Sequence, residues 1–360
     1  MRKNKNSLSY KAVQKFKQST TGLLSFSYIC ICAFIAVFCY LLSPDNSSNA
    51  NQMHLEIHSK KPGFQTEILE FPSNSKQSIA DFLLSGNSEP AIEIPISSYS
   101  VQNDSLYISP FSKNDIEIAY PLADFEKPIT NYIHTKTYYF GTDRYGRDLL
   151  SRILIGTRIS FFIGFIAVFI SLLLGISIGA TAGYFGGKID LFIMWLINIT
   201  WSIPTLLLVI AITLALGKGY WQVFIAVGLT MWVEVARVVR GQILSTKKLQ
   251  YVEAAKALGF SNFRIIFKHI LPNILAPIIV ISAANFAGAI LIESGLSFLG
   301  IGAQPPTPSW GGIIKDHFNY IILGKPYLAI LPGLAIMSLV MSFMLIGNTL
   351  RDALDVKASS

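Results

Sequence analysis

The sequence predicts an all-α polytopic membrane protein: six transmembrane helices, with one polar insertion after the first helix. Composition is the first observation. Apolar residues make up 52% of the 360 and charged residues only 14%, against about a quarter charged in soluble proteins. The second is length. Six apolar runs, roughly 22–42, 158–182, 190–216, 220–240, 273–299 and 327–349, reach the ~20 residues a helix needs to cross hydrocarbon. The third is the placement of Lys and Arg. They gather at Arg2, Lys3, Lys5, Lys11, Lys15 and Lys17, then at Arg237, Arg240, Lys247, Lys248, Lys256, Arg264 and Lys268, and finally at Arg351 and Lys357. Even numbers of spans separate these regions, and basic loops mark the cytoplasmic side. The net charge of +8 is thus explained by orientation in a membrane, with no need for a nucleic-acid partner.

Residues 1–21 read as a cytoplasmic tail and 22–42 as the first span. The run "LLSFSYICICAFIAVFCYLL" is too long for a signal-peptide core, and no small-x-small cleavage site follows it, so it reads as a retained anchor. Cys30, Cys32 and Cys39 all fall in this run without metal or redox spacing, and read as small apolar residues. Residues 43–157 form an extracytoplasmic segment. Within it "AIEIPISS", "DSLYISP" and "NDIEIAYP" alternate apolar and polar residues as strands do, and "SIADFLLSG" suits a short helix. The stretch 43–140 is also poor in large apolar residues, so a small β-rich domain and an open loop both stand. Arg144, Arg147, Arg152 and Arg158 sit on the predicted outside, against the charge rule, with Asp143 and Asp148 partly neutralising them.

Residues 158–350 hold the other five spans, with the cytoplasmic loop 241–272, and 351–360 form a cytoplasmic tail. The short loops near Lys218 and around 300–326 face out. Gly164, Gly175, Gly179 and Ala180 in the second span, and Ala283, Ala284, Ala287, Gly288 and Ala289 in the fifth, predict close helix packing. Pro204 should kink the third span; Pro277 and Pro332 lie near span ends, where a proline costs less. Apart from Arg158, Asp190 and Arg240 at the very ends of their runs, the charged groups within spans are few, Glu234, Arg237 and Glu293, and such groups are functional candidates. Glu234 and Arg237, three apart, can pair on one helix face. Glu293 stands alone, with polar packing and a conduit role both open.

Several chemistries are excluded. "GTDRYGRD" at 141–148 has the glycine frame of a phosphate loop but carries Arg147-Asp148 where Lys-Ser/Thr is required. "GLSFLG" at 295–300 has Leu299 in place of the last glycine of a serine-nucleophile elbow. His54, His58, His134, His269 and His317 all read as loop residues, and no cluster has metal-ligand spacing. The chain reads as non-catalytic, with no cofactor and no metal.

One cytoplasmic stretch is conspicuous: "YVEAAKALGFSNFRIIFKHILPN", 251–273. Val252, Ala255, Leu258, Phe263, Ile266, Phe267 and Ile270 form an apolar stripe, with Lys256, Arg264 and Lys268 off it. Gly259 can end one helix in a left-handed conformation, Ser261 can cap the next, and Pro272 can open the following span. By pattern alone the segment can dock a partner, lie on the membrane surface, or pack on its own bundle.

"EAAKALG" with "HILPN" resembles the cytoplasmic EAA loop of ATP-binding-cassette importer permeases. "FGTDRYGRDLLSRILIGTRIS", "GYFGGKID", "ARVVRGQIL" and "LSFLGIGAQPPTPSWG" follow the order of the second permease in the dipeptide/oligopeptide/nickel family. The resemblance covers roughly 140–355 plus the anchor. It implies the type I importer permease fold in a bacterial inner membrane. It also implies a second homologous permease subunit, cytoplasmic ATPase subunits and an extracytoplasmic solute-binding protein as partners. Glu253, Ala254, Ala255, Gly259, Phe263 and Pro272 would couple the chain to the ATPase, and peptides or related small solutes would be carried. This sequence departs from the family at Glu234, where such permeases usually carry a small residue or proline, and in the length of 43–140. The rival function is a gradient-driven carrier, which would usually show inverted repeats and intramembrane relays. No clear repeat is present. A receptor built on 43–140 would need fewer spans.

Overall fold

A computed structural model describes residues 8–72, 77–111, 117–217 and 219–354. Arg2, Lys3, Lys5, Lys218 and Lys357, used above for orientation, lie outside the described residues, as do positions 355–360 of the C-terminal tail. Two compact units are present. One holds the described parts of Met1–Ala33, Ser160–Gln304 and Ile336–Ser360; the other holds those of Phe34–Ile159 and Pro305–Ala335.

Among the described residues, five helical stretches are long and apolar enough to cross a membrane: Thr20–Leu42, Leu149–Phe185, Tyr220–Thr246, Asn262–Phe298 and Tyr327–Leu354. A sixth crossing is available if the bent pair Gly187–Ser202 and Thr205–Leu216 is one broken span. In chain order the helices are α1 (Leu8–Gln18), α2 (Thr20–Leu42), α3 (Ile79–Ser85), α4 (Leu149–Phe185), α5 (Gly187–Ser202), α6 (Thr205–Leu216), α7 (Tyr220–Thr246), α8 (Gln250–Ala257), α9 (Asn262–Arg264), α10 (Leu275–Phe298), α11 (Trp310–His317) and α12 (Tyr327–Leu354).

Pro204 does more than kink its run. α5 and α6 meet at 92°, because the residue before a proline is driven out of helical geometry. Ile203 is accordingly extended, at φ −92° and ψ 127°. The small residues pack as expected. A Cβ on Gly175 would lie 2.5 Å from the Val235 side chain, and one on Gly179 would lie 2.4 Å from the Ala236 carbonyl oxygen. α4 and α7 therefore touch nearly backbone to backbone. Ala180, Ala283, Ala287 and Ala289 are buried, whereas Ala284 is exposed. Cys32 and Cys39 are buried and Cys30 is exposed on α2.

The polar insertion is a five-stranded antiparallel sheet. Its strands are β1 (Phe64–Phe71), β2 (Ile92–Gln102), β3 (Ser105–Pro110), β4 (Ile118–Pro121) and β5 (Ile133–Tyr138), in the order β4-β3-β2-β1-β5. Asn103 and Asp104 both take positive φ between β2 and β3, the two-residue hairpin that matches strand twist. Leu69, Ile96, Leu106, Ile108 and Tyr132 form its core, with Phe71 and Phe125 stacked beside it.

The four arginines that broke the charge rule are structural. Arg147 pairs with the fully buried Asp143 at 2.7 Å, and Arg144 pairs with Asp316 at 3.3 Å. Arg152 lies 3.8 Å from Asp143. Arg158 donates to the carbonyls of Ala36, Val37, Leu83 and Leu84. Asp148 caps α4 by accepting from the Ser151 N–H at 2.8 Å. The helix thus starts nine residues before its apolar run, and Arg152 and Arg158 lie inside it.

Candidate functional site

The loop after α7 is built as two short helices on a greasy bed. Gly259 takes φ +74°. Its N–H donates to Lys256 O at 2.9 Å and the Phe260 N–H to Ala255 O at 3.1 Å, the pair of bonds that closes a helix on a left-handed glycine. Ser261 then accepts from the Arg264 N–H at 3.4 Å and starts α9. The expected helix, glycine turn and helix are all present. The second helix does not stop at Pro272. A π turn (Ile265–Ile270) and a 3-10 turn (Leu271–Ile274) carry it straight into α10. This shift of hydrogen-bond pattern absorbs the N–H that proline lacks. His269, read as a loop residue, lies in the π turn, stacked on Phe260 at 5.7 Å.

The apolar stripe divides between two faces. Val252, Ala255, Ile266 and Ile270 are buried with Val235, Val239 and Ile243 of α7, Ala180 of α4 and Ile278 of α10. Fully burying a Val or Ile contributes about 1.5–3 kcal/mol, so the loop is seated on the bundle. Leu258, Phe263 and Phe267 point the other way, at 72%, 70% and 51% exposure, and the two phenylalanine rings lie 4.3 Å apart. Polar ties fix the frame: Tyr184 Oη donates to Asn262 Oδ1 at 2.8 Å, and Lys247 Nζ to Gly183 O at 2.8 Å. Of the residues singled out from the sequence, Glu253, Ala254, Gly259, Phe263 and Pro272 are exposed, and Ala255 faces the core.

A second feature lies within the bundle. α5, α6, α7 and α10 line a partly open cavity of about 300 Å³ whose lining includes Trp201, Thr205, Thr230, Glu234 and Asn285. The pairing of Glu234 with Arg237 is not found. Arg237 sits over the Trp201 ring at 3.6 Å and donates to Asn198 Oδ1 at 3.4 Å. Arg240, one turn further, pairs bidentately with Asp190. Sequence reasoning missed Trp201, Thr230 and Asn285; Pro204 and the mid-helix Glu234 were the available signals. Glu293 is elsewhere: it is 1% exposed and accepts from Ser297 Oγ at 2.6 Å. Ser297 Oγ in turn accepts from the Ala303 N–H at 3.1 Å. Its observed contacts tie the turn after α10 back onto that helix.

Residues 171–359 match the family model described as "binding-protein-dependent transport system inner membrane component". The chain is 43% identical over 223 residues to the dipeptide transport system permease protein DppC of Alkalihalophilus pseudofirmus, covering 62% of this chain and 73% of that one. It is 39% identical to the glutathione transport system permease protein GsiD of Pectobacterium atrosepticum, covering 63% and 75%. It is 43% identical to the oligopeptide transport system permease protein OppC of Haemophilus influenzae, covering 61% and 70%.

Proposed function

We propose, for a chain that belongs to the family of binding-protein-dependent transport system inner membrane components, that the exposed face of its 247–274 loop is where separate ATPase subunits drive transport. The chain is a multi-pass permease subunit of an ATP-binding-cassette importer. The observation that carries the docking reading is the split stripe: Leu258, Phe263 and Phe267 stay exposed on helices whose opposite faces are anchored. Such a patch on a rigid support marks an interaction site. Glu253 and Ala254 border it, Gly259 sets the angle between its helices, and Phe263 is its centre. Ala255 seats it, and Pro272 lies where the loop hands motion on to α10. ATP hydrolysis in the partners would move this surface, and a bundle with two packings would convert the push into alternating access. Glu293 is assigned polar packing, on the strength of its bond to Ser297.

The carried solute is a peptide or a related small solute, on the support of relatives named for dipeptide, oligopeptide and glutathione transport. A second homologous permease and an extracytoplasmic solute-binding protein complete the assembly. The site is a bacterial cytoplasmic membrane, with both termini and the 247–274 loop cytoplasmic and the β-sheet insertion outside. Replacing Phe263 and Phe267 together by Ser tests the reading. The doubly substituted chain should reach the membrane at wild-type level but fail to recover ATPase subunits in a pull-down. Undiminished recovery would rule out this face as the docking surface.

A further inference from the structure

The cavity between α5, α6, α7 and α10 contains more polar chemistry than helix packing requires. Glu234 is the fifteenth residue of the 27-residue α7 and is exposed on the cavity wall. Among the described residues it makes no ion pair, and Arg237 is committed to Trp201 and Asn198. A carboxylate within an apolar span is costly unless it has a task. Across the cavity Asn285 is 2% exposed, and its Nδ2 has no protein partner. A buried amide donor that no protein group matches has to be met by water or by a ligand. The third element is the start of α6. The chain breaks at Pro204, Thr205 lines the cavity, and no side chain caps the first turn. Free N–H groups and the helix dipole favour an anion there. Broken helices at mid-membrane, with a half-helix N-terminus toward a carboxylate, suit solute binding in transporters.

We propose that this cavity is a zwitterion station on the transport path: Glu234 takes the ammonium end of a short peptide, and Asn285 Nδ2 with the first turn of α6 takes its carboxylate end. The proposal rests on the peptide-permease reading above. The polarity is fixed by the groups present, since Glu234 can only repel a carboxylate and the helix start can only repel an ammonium. Thr230, whose hydroxyl donates to Val227 O at 2.9 Å, lines the cavity as an acceptor site, and Trp201, held under Arg237, supplies an apolar wall. A volume of about 300 Å³ lies at the small end of ligand sites, which matches two or three small residues better than a long chain.

The test uses the membrane complex captured with this chain, reconstituted in nanodiscs without soluble binding protein. The probes are tri-alanine, N-acetyl-tri-alanine and tri-alanine amide, with binding read calorimetrically. The wild-type complex should bind tri-alanine at least tenfold more tightly than either blocked peptide. Glu234→Gln should erase discrimination against the acetylated peptide and keep that against the amide. Asn285→Asp should do the reverse. Both are near-isosteric, and ATPase recovery confirms assembly. Equal binding of all three probes by wild type, or unchanged ratios in both variants, overturns the station. In that event uptake of tri-alanine by whole cells would still support the peptide-permease reading. Absence of that uptake would overturn the reading and the station with it.

Discussion

Gly259 offers the sharpest perturbation. It holds φ +74°, and a Cβ built there meets nothing within 4 Å. Substitution therefore introduces no clash with neighbours, and any effect comes from the backbone itself. An L-residue in the left-handed region costs about 1–2 kcal/mol, and a β-branched one fits worst. Asn tolerates the same region far better. At about 1.4 kcal/mol per factor of ten, Gly259→Val should cut the population with the correct inter-helix angle by roughly 5–30-fold. Gly259→Asn should cut it only a few-fold. The lost geometry would swing Phe263 away from Leu258 while Val252 and Ile266 stay seated. The assay pairs uptake with recovery of ATPase subunits, both normalised to membrane-inserted chain. Val should lose most of both and Asn should keep most of both. Equal behaviour of the two variants, whether both active or both dead, would refute the conformational argument.

Other outcomes are expected on the same footing. Glu253→Ala removes an exposed charge at the edge of the patch and should weaken ATPase recovery less than Gly259→Val does; a loss as large would give Glu253 a central role. In a Cys-free background, cysteines at the exposed Ser97 and Ser245 should differ in labelling by an impermeant thiol reagent on intact cells, Ser97 alone reacting; equal labelling would reject the proposed orientation. Gly179→Leu forces a side chain against the Ala236 carbonyl and should destabilise the bundle by about 1–3 kcal/mol or more, read as a lower melting temperature in detergent. Gly333→Ala, with open space around it in α12, should leave that temperature unchanged or raise it. His317 is buried, and burial holds its imidazole below the usual histidine range against the opposing pull of Ile313 O, Asp143 and Asp316. Its Nε2 accepts from the Arg144 N–H and its Nδ1 donates to Ile313 O, so the neutral ring is the one that fits. Above the unfolded value of about 6.5 this stability is complete; as pH falls the unfolded chain gains a proton that the folded chain resists, and stability drops toward the depressed folded value. Wild type should therefore lose melting temperature between pH 7.5 and 5.5, and His317→Phe should show a shallower slope.

The sequence disclosed what local chemistry decides. Gly259 and Ser261 announce a helix end and a helix start because few residues serve those roles, and both act as read. Periodicity also found the apolar stripe of the loop. It could not say that Val252 and Ile266 go inward while Leu258 and Phe263 go outward, since an apolar side chain looks the same whether it seeks a core or a partner. Pro204 was legible as a disturbance, but the 92° size of the bend was not, since it depends on how α5 and α6 each pack. The start of α4 was hidden because Ser151, Arg152 and Thr157 dilute the apolar run, though they are buried. Strands β2, β3 and β4 were visible as alternation. β5, "IHTKTY", was not: it is polar along most of its length and is held by pairing with β1, as Thr66 with Lys136 and Gln65 with Thr137, which no short window contains.

The proposed docking face and the cavity are joined by one piece of α7. Val235, Val239 and Ile243 belong to the cluster that buries Val252 and Ala255 of α8 and Ile266 and Ile270 after it. Glu234 is the immediate neighbour of Val235, about 100° further round that helix, and lines the cavity. α4 braces the same region, with Gly175 against Val235 and Gly179 against Ala236. Packed interiors resist compression and pass strain on. A push delivered at Phe263 and Phe267 therefore cannot be absorbed by the loop, whose inner face is anchored. It has to move α7 and α10 with it, or slide α7 against the glycine face of α4. Either movement shifts Glu234 relative to Asn285 on α10 and to the start of α6. In the proposed mechanism, this is how work done by an ATPase outside the chain would loosen a peptide held at both ends inside it. The chain would need no nucleotide site of its own.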